Sequence, residues 1–268
     1  MKFIRTPIAG IGLAFALFLP ASLTLAQPAT GQPAARSWSG DPRVQSRTYV
    51  FTNTGEILPY AVFVSTKVAK DKPAPLIVAL RGYGGNPGSF MWGSALKLAE
   101  EGGYIMVAPM GYNSGGNFGN PGGGGATGVA PTKTSEYSEQ DVMNVLALIR
   151  KEFNIDDHRI YLMGHSQGGA GALHIADKYS CIWAAVAGLS PGAPGYQLDS
   201  NAKFKDVAIL IMVGDKDGFI GSVQRLDERM KSLNIPHEYK EVPDLDHGSI
   251  VMGGMTNVFR FFSQHTKP

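Results

Sequence analysis

The chain has 268 residues, of which 44% are hydrophobic and 17% are charged. This length and composition indicate a globular protein that can bury one sizeable core. The formal net charge of +2 gives no sign of the basic surface that attracts nucleic acids or anionic membranes. We therefore expect neither as a partner.

The first 26 residues have the composition of a secretory signal peptide. Lys2 and Arg5 form a positively charged start, residues 8–19 are almost all apolar or glycine, and Ala26 is a small residue suited to cleavage. The apolar run is too short to cross a bilayer comfortably, which disfavours the alternative of an uncleaved anchor. We predict a cleavable signal peptide at 1–26 and a soluble product that is secreted or periplasmic. Removing the signal leaves equal numbers of basic and acidic residues.

The rest of the chain divides into a leader and one folded domain. Residues 27–45 are rich in Ala, Pro, Gly and Ser, which predicts a flexible leader, and residues 46–268 form the domain. Cys181 is the single cysteine, so no intramolecular disulfide can form. Because Cys181 opens the apolar run 182–189, we expect it to be buried and inert.

Strand and helix patterns alternate along the domain. Two β-rich segments around Gly55 predict an antiparallel pair, and Ser138 with Asp141 three residues later predicts a capping box that starts a helix. The predicted strands are 47–52, 60–66, 75–80, 104–108, 160–163, 183–189, 207–213 and 237–242, and the predicted helices are 90–101, 138–153, one after residue 166, 221–233 and 256–265. This alternation predicts an α/β fold with a mainly parallel central sheet and helices on both faces.

Two predicted loops determine how open a binding site at the edge of the sheet would be. Residues 111–134 are rich in glycine but lack a Gly-Lys-Ser/Thr ending, so they predict a mobile surface loop rather than a phosphate-binding loop. Residues 191–206 leave room only for a short connection. We therefore expect no large cap domain and a fairly open site.

The residues from Gly164 to Gly168 form a G-x-S-x-G pentapeptide centred on Ser166. A β-prone run precedes it and a helical run follows it. In this context the pattern is typical of a nucleophilic serine on a sharp strand-to-helix turn. The alternative is a glycine-rich turn that holds an ordinary serine.

A serine nucleophile needs a base, and the base needs an acid to orient it. In doubly wound hydrolases the acid and then the histidine follow the serine along the chain. Asp215 and Asp217 both follow the strand 207–213, where such sheets place their chemistry, although aspartates are also common in turns. His247 lies between the last predicted strand and the last predicted helix, and is the candidate base.

The developing oxyanion needs two hydrogen-bond donors. We assign one to the backbone N–H of Gln167, directly after the nucleophile. The other is expected in the glycine-rich segment 81–85 after an earlier strand, where the backbone N–H of Tyr83 is the best candidate.

Three motifs together resemble a known family. They are Gly-Tyr-Gly-Gly-Asn at 82–86, Gly-His-Ser-Gln-Gly-Gly at 164–169, and an acid followed by Asp-His-Gly at 246–248. Residues 47–262 resemble secreted α/β-hydrolase esterases of the group that contains feruloyl esterases and polyhydroxybutyrate-depolymerase-like esterases. The resemblance implies the α/β-hydrolase fold and a Ser166, Asp217, His247 triad, because the family's acid usually lies three residues after a strand-terminal glycine, here Gly214.

The resemblance also implies the reaction. We expect a serine carboxylesterase, free of metal and cofactor, that hydrolyses small to medium esters, including aromatic acyl esters, through an acyl-enzyme. The alternatives are a peptidase or acyl-peptide hydrolase of the same fold, and a non-catalytic binding protein. The sequence carries no polymer-binding module, which disfavours a crystalline polymer as substrate.

Arg81 and Trp92 are candidate substrate contacts. Arg81 stands where the family commonly has the histidine of His-Gly. We expect a structural ion pair between Arg81 and Asp141 or Asp244; the alternatives are recognition of an anionic substrate, such as the monoester of a dicarboxylic acid, and a solvated side chain.

Overall fold

The structure is a computed structural model that describes residues 37–120, 133–191 and 198–268. The predicted signal peptide, the first part of the predicted leader and the centre of the glycine-rich loop lie outside the described residues. Residues from Ala35 to Pro268 form one compact unit.

An eight-stranded sheet lies at the centre of the described residues, in the order β1-β2-β4-β3-β5-β6-β7-β8. β1 pairs antiparallel with β2, and β2 with β4, while all the other pairs are parallel. This confirms the predicted sheet and its antiparallel pair. The strands are β1 Gln45–Val50, β2 Ile57–Val64, β3 Ala74–Leu80, β4 Ile105–Pro109, β5 Ile155–His165, β6 Ala185–Leu189, β7 Ala208–Gly214 and β8 Glu238–Val242.

Helices cover both faces of the sheet and bury a core on each. The alternation of side chains along β3 supplies both cores, with Leu76 and Val78 on one side and Ile77 on the other. None of the helices in the described ranges is long and apolar enough to cross a membrane. The helices are a 3₁₀ turn at Pro87–Phe90, α1 Gly93–Gly102, α2 Lys133–Glu152, α3 Gln167–Lys178, α4 Ile220–Ser232, α5 Ile250–Gly253 and α6 Met255–Ser263.

The predicted start of the second helix is wrong. α2 already includes Lys133, and Ser138 lies inside the helix, where its buried hydroxyl donates to the carbonyl of Gly111 at 2.7 Å. Asp141 is also buried, and its Oδ2 accepts from the backbone N–H of Gly111 at 2.7 Å and of Tyr112 at 3.3 Å. The two polar residues resemble a capping box, but they hold the loop that follows β4.

Two further expectations differ from the structure. Cys181 is exposed, because it lies in the turn after α3 and before the buried run begins. The leader is fixed from residue 37 onward: Ser39 Oγ donates to the carbonyl of Met91 at 2.5 Å, and Val44 is buried. A flexible leader therefore remains a prediction only for residues 27–36.

The turn between β5 and α3 depends on close contacts between backbones. A Cβ atom at Gly168 would lie 2.3 Å from the carbonyl oxygens of both Leu80 and Arg81, and one at Gly164 would lie 2.1 Å from the carbonyl oxygen of Gly168. Only residues without a side chain allow α3 to begin so close to β3 and β5.

We expect Gly168→Ala to lower the free energy of unfolding by about 1–3 kcal/mol, because the added methyl group meets backbone that cannot yield easily. Gly40→Ala is the matched control, since a Cβ atom there meets nothing within 4 Å. Denaturant unfolding measures both variants. Equal stability of the two variants would contradict the close approach.

Candidate active site

Ser166 is held in a strained backbone conformation between β5 and α3. Its φ of 55° and ψ of −118° are unusual for a residue with a side chain. The backbone N–H of Ser166 donates to the carbonyl of Leu189 at 2.8 Å, and its carbonyl accepts from Ala170 at 3.0 Å. These bonds fix the hydroxyl at the carboxyl end of the sheet, as a nucleophile turn requires.

The structure brings Ser166, His247 and Asp217 into one hydrogen-bonded series. His247 Nε2 lies 3.0 Å from Ser166 Oγ, and His247 Nδ1 lies 2.9 Å from Asp217 Oδ2. An ionised carboxylate only accepts, so Nδ1 carries the proton and Nε2 is free to accept from the serine. Asp215 is exposed and takes no part in the series.

The carboxylate of Asp217 is buried but well supplied with donors. Its Oδ1 accepts from the backbone N–H of Phe219 at 2.8 Å. Burial raises the pKa of Asp217. Three nearby groups lower this pKa by more: the buried hydroxyl of Ser190, the backbone N–H of Phe219 and the ring of His247. The Ser190 hydroxyl lies close to the carboxylate but outside hydrogen-bond geometry. Asp217 is therefore ionised at neutral pH and stabilises a positive charge on His247.

His165 supports the loop that carries His247, and the sequence analysis missed it. Its Nε2 lies 2.6 Å from the backbone carbonyl of His247, and the two rings are 4.6 Å apart. A carbonyl only accepts, so Nε2 of His165 carries a proton. Burial lowers the pKa of His165 to about 4, helped by repulsion from His247. Its position beside the nucleophile in the pentapeptide was the available signal.

The segment 82–83 runs alongside the nucleophile. A Cβ atom at Gly82 would lie 3.6 Å from the Cβ of Ser166 and 3.0 Å from Nδ1 of His165. In the described part of the chain, the backbone N–H groups of Tyr83 and Gln167 donate to no other group. Both of the proposed oxyanion donors are thus available beside Ser166.

The structure contradicts two of the roles considered for Arg81, a substrate contact and a solvated side chain. Its side chain is only 1% exposed, and all five of its N–H donors are bound to protein oxygens. Nε donates to Met110 O, Nη1 to Gly82 O and Gln167 Oε1, and Nη2 to Asn113 O and Gly116 O. No donor is left for a substrate, and the side chain is not solvated.

The expected ion pair of Arg81 is also wrong. The carboxylate of Asp244 binds Lys216 at 2.6 Å, and that of Asp141 binds backbone N–H groups and the hydroxyl of Tyr49. Asp141 acts on Arg81 only through its charge. Burial lowers the pKa of Arg81 to about 10, and Asp141 opposes this shift, so the guanidinium stays charged at neutral pH.

Trp92 is the residue directly before α1. Its indole is about half exposed, and Nε1 donates to the carbonyl of Ser89 at 3.2 Å. Two residues further on, Ser94 Oγ donates at 2.8 Å to the carbonyl of Met252 in α5, which follows His247 along the chain. A substrate contact at Trp92 stays a prediction.

The arrangement is suited to acyl transfer. Within residues 37–120, 133–191 and 198–268, no group of three or more His, Cys, Asp or Glu side chains is placed to hold a metal ion. A serine on a strained strand-to-helix turn, bonded to a histidine that is bonded to a buried aspartate, characterises serine hydrolases of the α/β-hydrolase fold. The fold and the site together place this protein among the serine hydrolases of the α/β-hydrolase fold.

The family follows from comparison with known sequences. Residues 61–254 match the Dienelactone hydrolase family, and the chain belongs to this family. It is accordingly a serine hydrolase that acts on carboxylic ester bonds. No curated protein matches the sequence.

Solved structures at low sequence identity share the fold. A ferulic acid esterase is 18% identical with a TM-score of 0.67, over 82% of this chain and 98% of that chain. The S-formylglutathione hydrolase from Agrobacterium tumefaciens is 20% identical with a TM-score of 0.66, over 82% and 94%. A ferulic acid esterase from Anaeromyces mucronatus in complex with ferulic acid is 18% identical with a TM-score of 0.63, over 87% and 94%.

The lowered pKa of His165 predicts a loss of stability in acid. Between pH 6.5 and 4 the unfolded chain binds a proton that the folded chain excludes, so the free energy of unfolding falls by about 3 kcal/mol as the pH drops through this window. His165→Gln keeps an N–H donor but removes the titration, and should flatten the dependence by this amount. The measurement is urea unfolding of both proteins at several pH values. His158→Gln, at an exposed histidine, is the control. If the free energy of unfolding varied with pH in the same way for wild type and His165→Gln, the lowered pKa of His165 would be refuted.

Proposed function

We propose that Ser166, His247 and Asp217 are the catalytic triad of this esterase, which works through an acyl-enzyme. The observation that carries the proposal is the series from Ser166 Oγ to His247 at 3.0 Å and from His247 to the buried Asp217 at 2.9 Å. It supplies a nucleophile, a base in contact with it and an acid that orients the base.

In the first half-reaction, Ser166 Oγ attacks the carbonyl carbon of the ester while His247 Nε2 takes the hydroxyl proton. The carbonyl oxygen becomes an oxyanion, which the N–H groups of Tyr83 and Gln167 stabilise. When the tetrahedral intermediate collapses, the bond to the alkoxy oxygen breaks. His247 then donates its proton to the departing alcohol, which leaves the acyl group on Ser166.

In the second half-reaction, water replaces the alcohol. His247 takes a proton from the water, the resulting hydroxide attacks the acyl carbon, and the same N–H groups bind the oxyanion. Collapse breaks the bond to Ser166 Oγ, which recovers its proton from His247, and the carboxylic acid leaves. Asp217 keeps the proton on Nδ1 throughout, so that Nε2 alone exchanges protons with the reactants.

We propose small to medium esters, with aromatic acyl groups among them, as substrates. Three aromatic side chains support this proposal. Tyr83 is 78% exposed beside Ser166, the ring of Phe219 lies edge-on 4.9 Å from that of His247, and Trp92 is half exposed two residues before Ser94, which contacts α5. Flat apolar groups pack well against such rings. The fungal esterase that binds ferulic acid has the same fold.

Substitution of the triad tests the assignment. We expect Ser166→Ala and His247→Ala to lose several orders of magnitude in kcat, because the members of a triad act as a unit. Asp217→Asn should lose about 10⁴-fold by analogy with other triads, whereas the matched control Asp215→Asn should keep its activity. Rates are measured on p-nitrophenyl acetate.

A fluorophosphonate probe should label the wild type and spare Ser166→Ala, which separates an enzyme from a non-catalytic binding protein. Wild-type turnover in Ser166→Ala or His247→Ala would overturn the triad. If Asp215→Asn lost its activity while Asp217→Asn stayed active, the acid of the triad would be Asp215 instead of Asp217.

A panel of acetyl, feruloyl and terephthaloyl esters and a peptide amide tests the substrate class. Tyr83→Ala and Trp92→Ala should lower kcat/KM on the aromatic esters about tenfold more than on the acetyl ester, since a lost ring contact costs about 1 kcal/mol. Ile57→Ala, at an exposed apolar residue of β2, is the control. Equal losses on all esters would contradict an aromatic subsite, and faster cleavage of the peptide would favour a peptidase.

A further inference from the structure

Arg81 touches both residues that supply the oxyanion donors. Its Nη1 donates to the carbonyl of Gly82 at 3.0 Å and to the side-chain oxygen of Gln167 at 3.2 Å. Its other donors bind three carbonyls of the loop after β4, at Met110, Asn113 and Gly116. The aromatic face of Phe118 lies 5.0 Å from the guanidinium. One buried cation thus links the oxyanion segment, the nucleophile turn and the loop after β4.

The contact with Gly82 fixes the direction of the Tyr83 N–H. The carbonyl of Gly82 and the N–H of Tyr83 belong to one peptide unit, which is trans. In a planar trans unit the two groups point in opposite directions. The Gly82 oxygen accepts from Arg81 and also from the backbone N–H of Gly85 at 3.1 Å. These two donors hold the carbonyl on one side, so the N–H of Tyr83 is held on the other.

The contact with Gln167 fixes the start of α3. Gln167 is the first residue of this helix, and its backbone N–H is the second oxyanion donor. Its side-chain oxygen accepts from Arg81, and its side-chain nitrogen donates to the carbonyl of Gly115 at 3.4 Å. Both polar atoms of the side chain are therefore anchored to the same network that holds Gly82.

We propose that Arg81 is the positioning residue of the oxyanion hole. The proposal rests on the proposed function, because it requires that Tyr83 and Gln167 bind the oxyanion. Arg81 itself does not touch the substrate; it aligns the two donors with each other. Five acceptors around one planar group require a guanidinium, since a lysine has only three donors and no fork.

The loop after β4 has a second support that does not involve the oxyanion hole. Asp141 accepts from Gly111 and Tyr112 at its near end, and Tyr49 donates to Asp141 at 2.6 Å. Tyr49→Phe removes one hydrogen bond of this support but keeps the Asp141 charge that acts on Arg81. It therefore loosens the same loop while it leaves the carbonyl of Gly82 and the side chain of Gln167 in place, and it is the matched control for a merely structural effect.

The experiment compares an ester with its thionoester, which differs only in a C=S in place of the C=O. Sulfur is larger and accepts hydrogen bonds more weakly, so an aligned pair of donors favours the oxygen ester. We expect Arg81→Lys and Arg81→Gln to lose about 10²–10³-fold in kcat on the ester, as for the loss of an oxyanion donor, and to keep KM within about threefold. The loss on the thionoester should be at least about tenfold smaller.

The control and a second variant keep the test decisive. Tyr49→Phe should lower Tm without changing the ratio of the ester rate to the thionoester rate. Gln167→Ala keeps its backbone N–H but loses the anchor, and should lower the ratio in the same direction, which tests the proposal even where an Arg81 variant does not fold.

Three results would overturn the inference or its basis. Arg81 would be a structural residue only if its variants kept the wild-type ratio of the ester rate to the thionoester rate. If the Arg81 variants do not fold, an unchanged ratio in Gln167→Ala would lead to the same conclusion. A ratio that falls equally in Tyr49→Phe would do the same. If the wild type itself hydrolyses the ester no faster than Ser166→Ala, the proposed function fails rather than the positioning role.

Discussion

The geometry of the site depends on how closely α3 approaches the centre of the sheet. The carbonyls of Leu80 and Arg81 lie where a side chain at Gly168 would stand, and Ser166 has its strained conformation two residues before this close contact. Backbone strain of this kind persists only where the surrounding structure fixes it. Here the surroundings are a mainly parallel sheet buried on both faces, so the packing of two cores fixes the position of one serine hydroxyl. The conformation of Ser166, the proposed nucleophile, is thus a product of the fold rather than of its own turn.

Burial of Arg81 at the same place needs a physical explanation, because a buried charge without a carboxylate partner is costly. The molecule offsets the cost with five hydrogen bonds to neutral oxygens and with the face of Phe118. Three of these oxygens are carbonyls of the loop after β4, which forms no strand or helix there, and Arg81 gives them donors that regular structure would otherwise supply. The guanidinium of Arg81 gains acceptors from the loop, and the loop carbonyls gain donors from the guanidinium. This explains why the loop can be irregular and yet hold a defined shape beside the site.

The sequence predicted what depends on periodicity and on residue order. Most strands and helices were located within a few residues because their apolar patterns are strong, although the start of α2 was misplaced. The motifs and the residue order predicted Ser166, Asp217 and His247, which the structure places within hydrogen-bond distance of one another. Arg81 was misassigned for a physical reason: its partners are backbone carbonyls, which every residue carries and no sequence pattern marks. Ser138 and Asp141 failed in the same way, since both bind the backbone of a distant loop. The expected burial of Cys181 was wrong because this residue lies in the turn before the buried run rather than in the run.

The residues directly before Ser166 and Gly82 each hold a different segment close to Ser166. His165 holds the loop of the base, and Arg81 holds the donors for the oxyanion. Their responses to pH differ. The pKa of His165 is lowered to about 4, so acid disturbs the side of the base first, whereas the pKa of Arg81 remains near 10 and its charge persists across the whole physiological range. Since the donors bind a charge that exists only during the reaction, their alignment must not depend on protonation. A guanidinium is the side chain that meets this condition while it is buried.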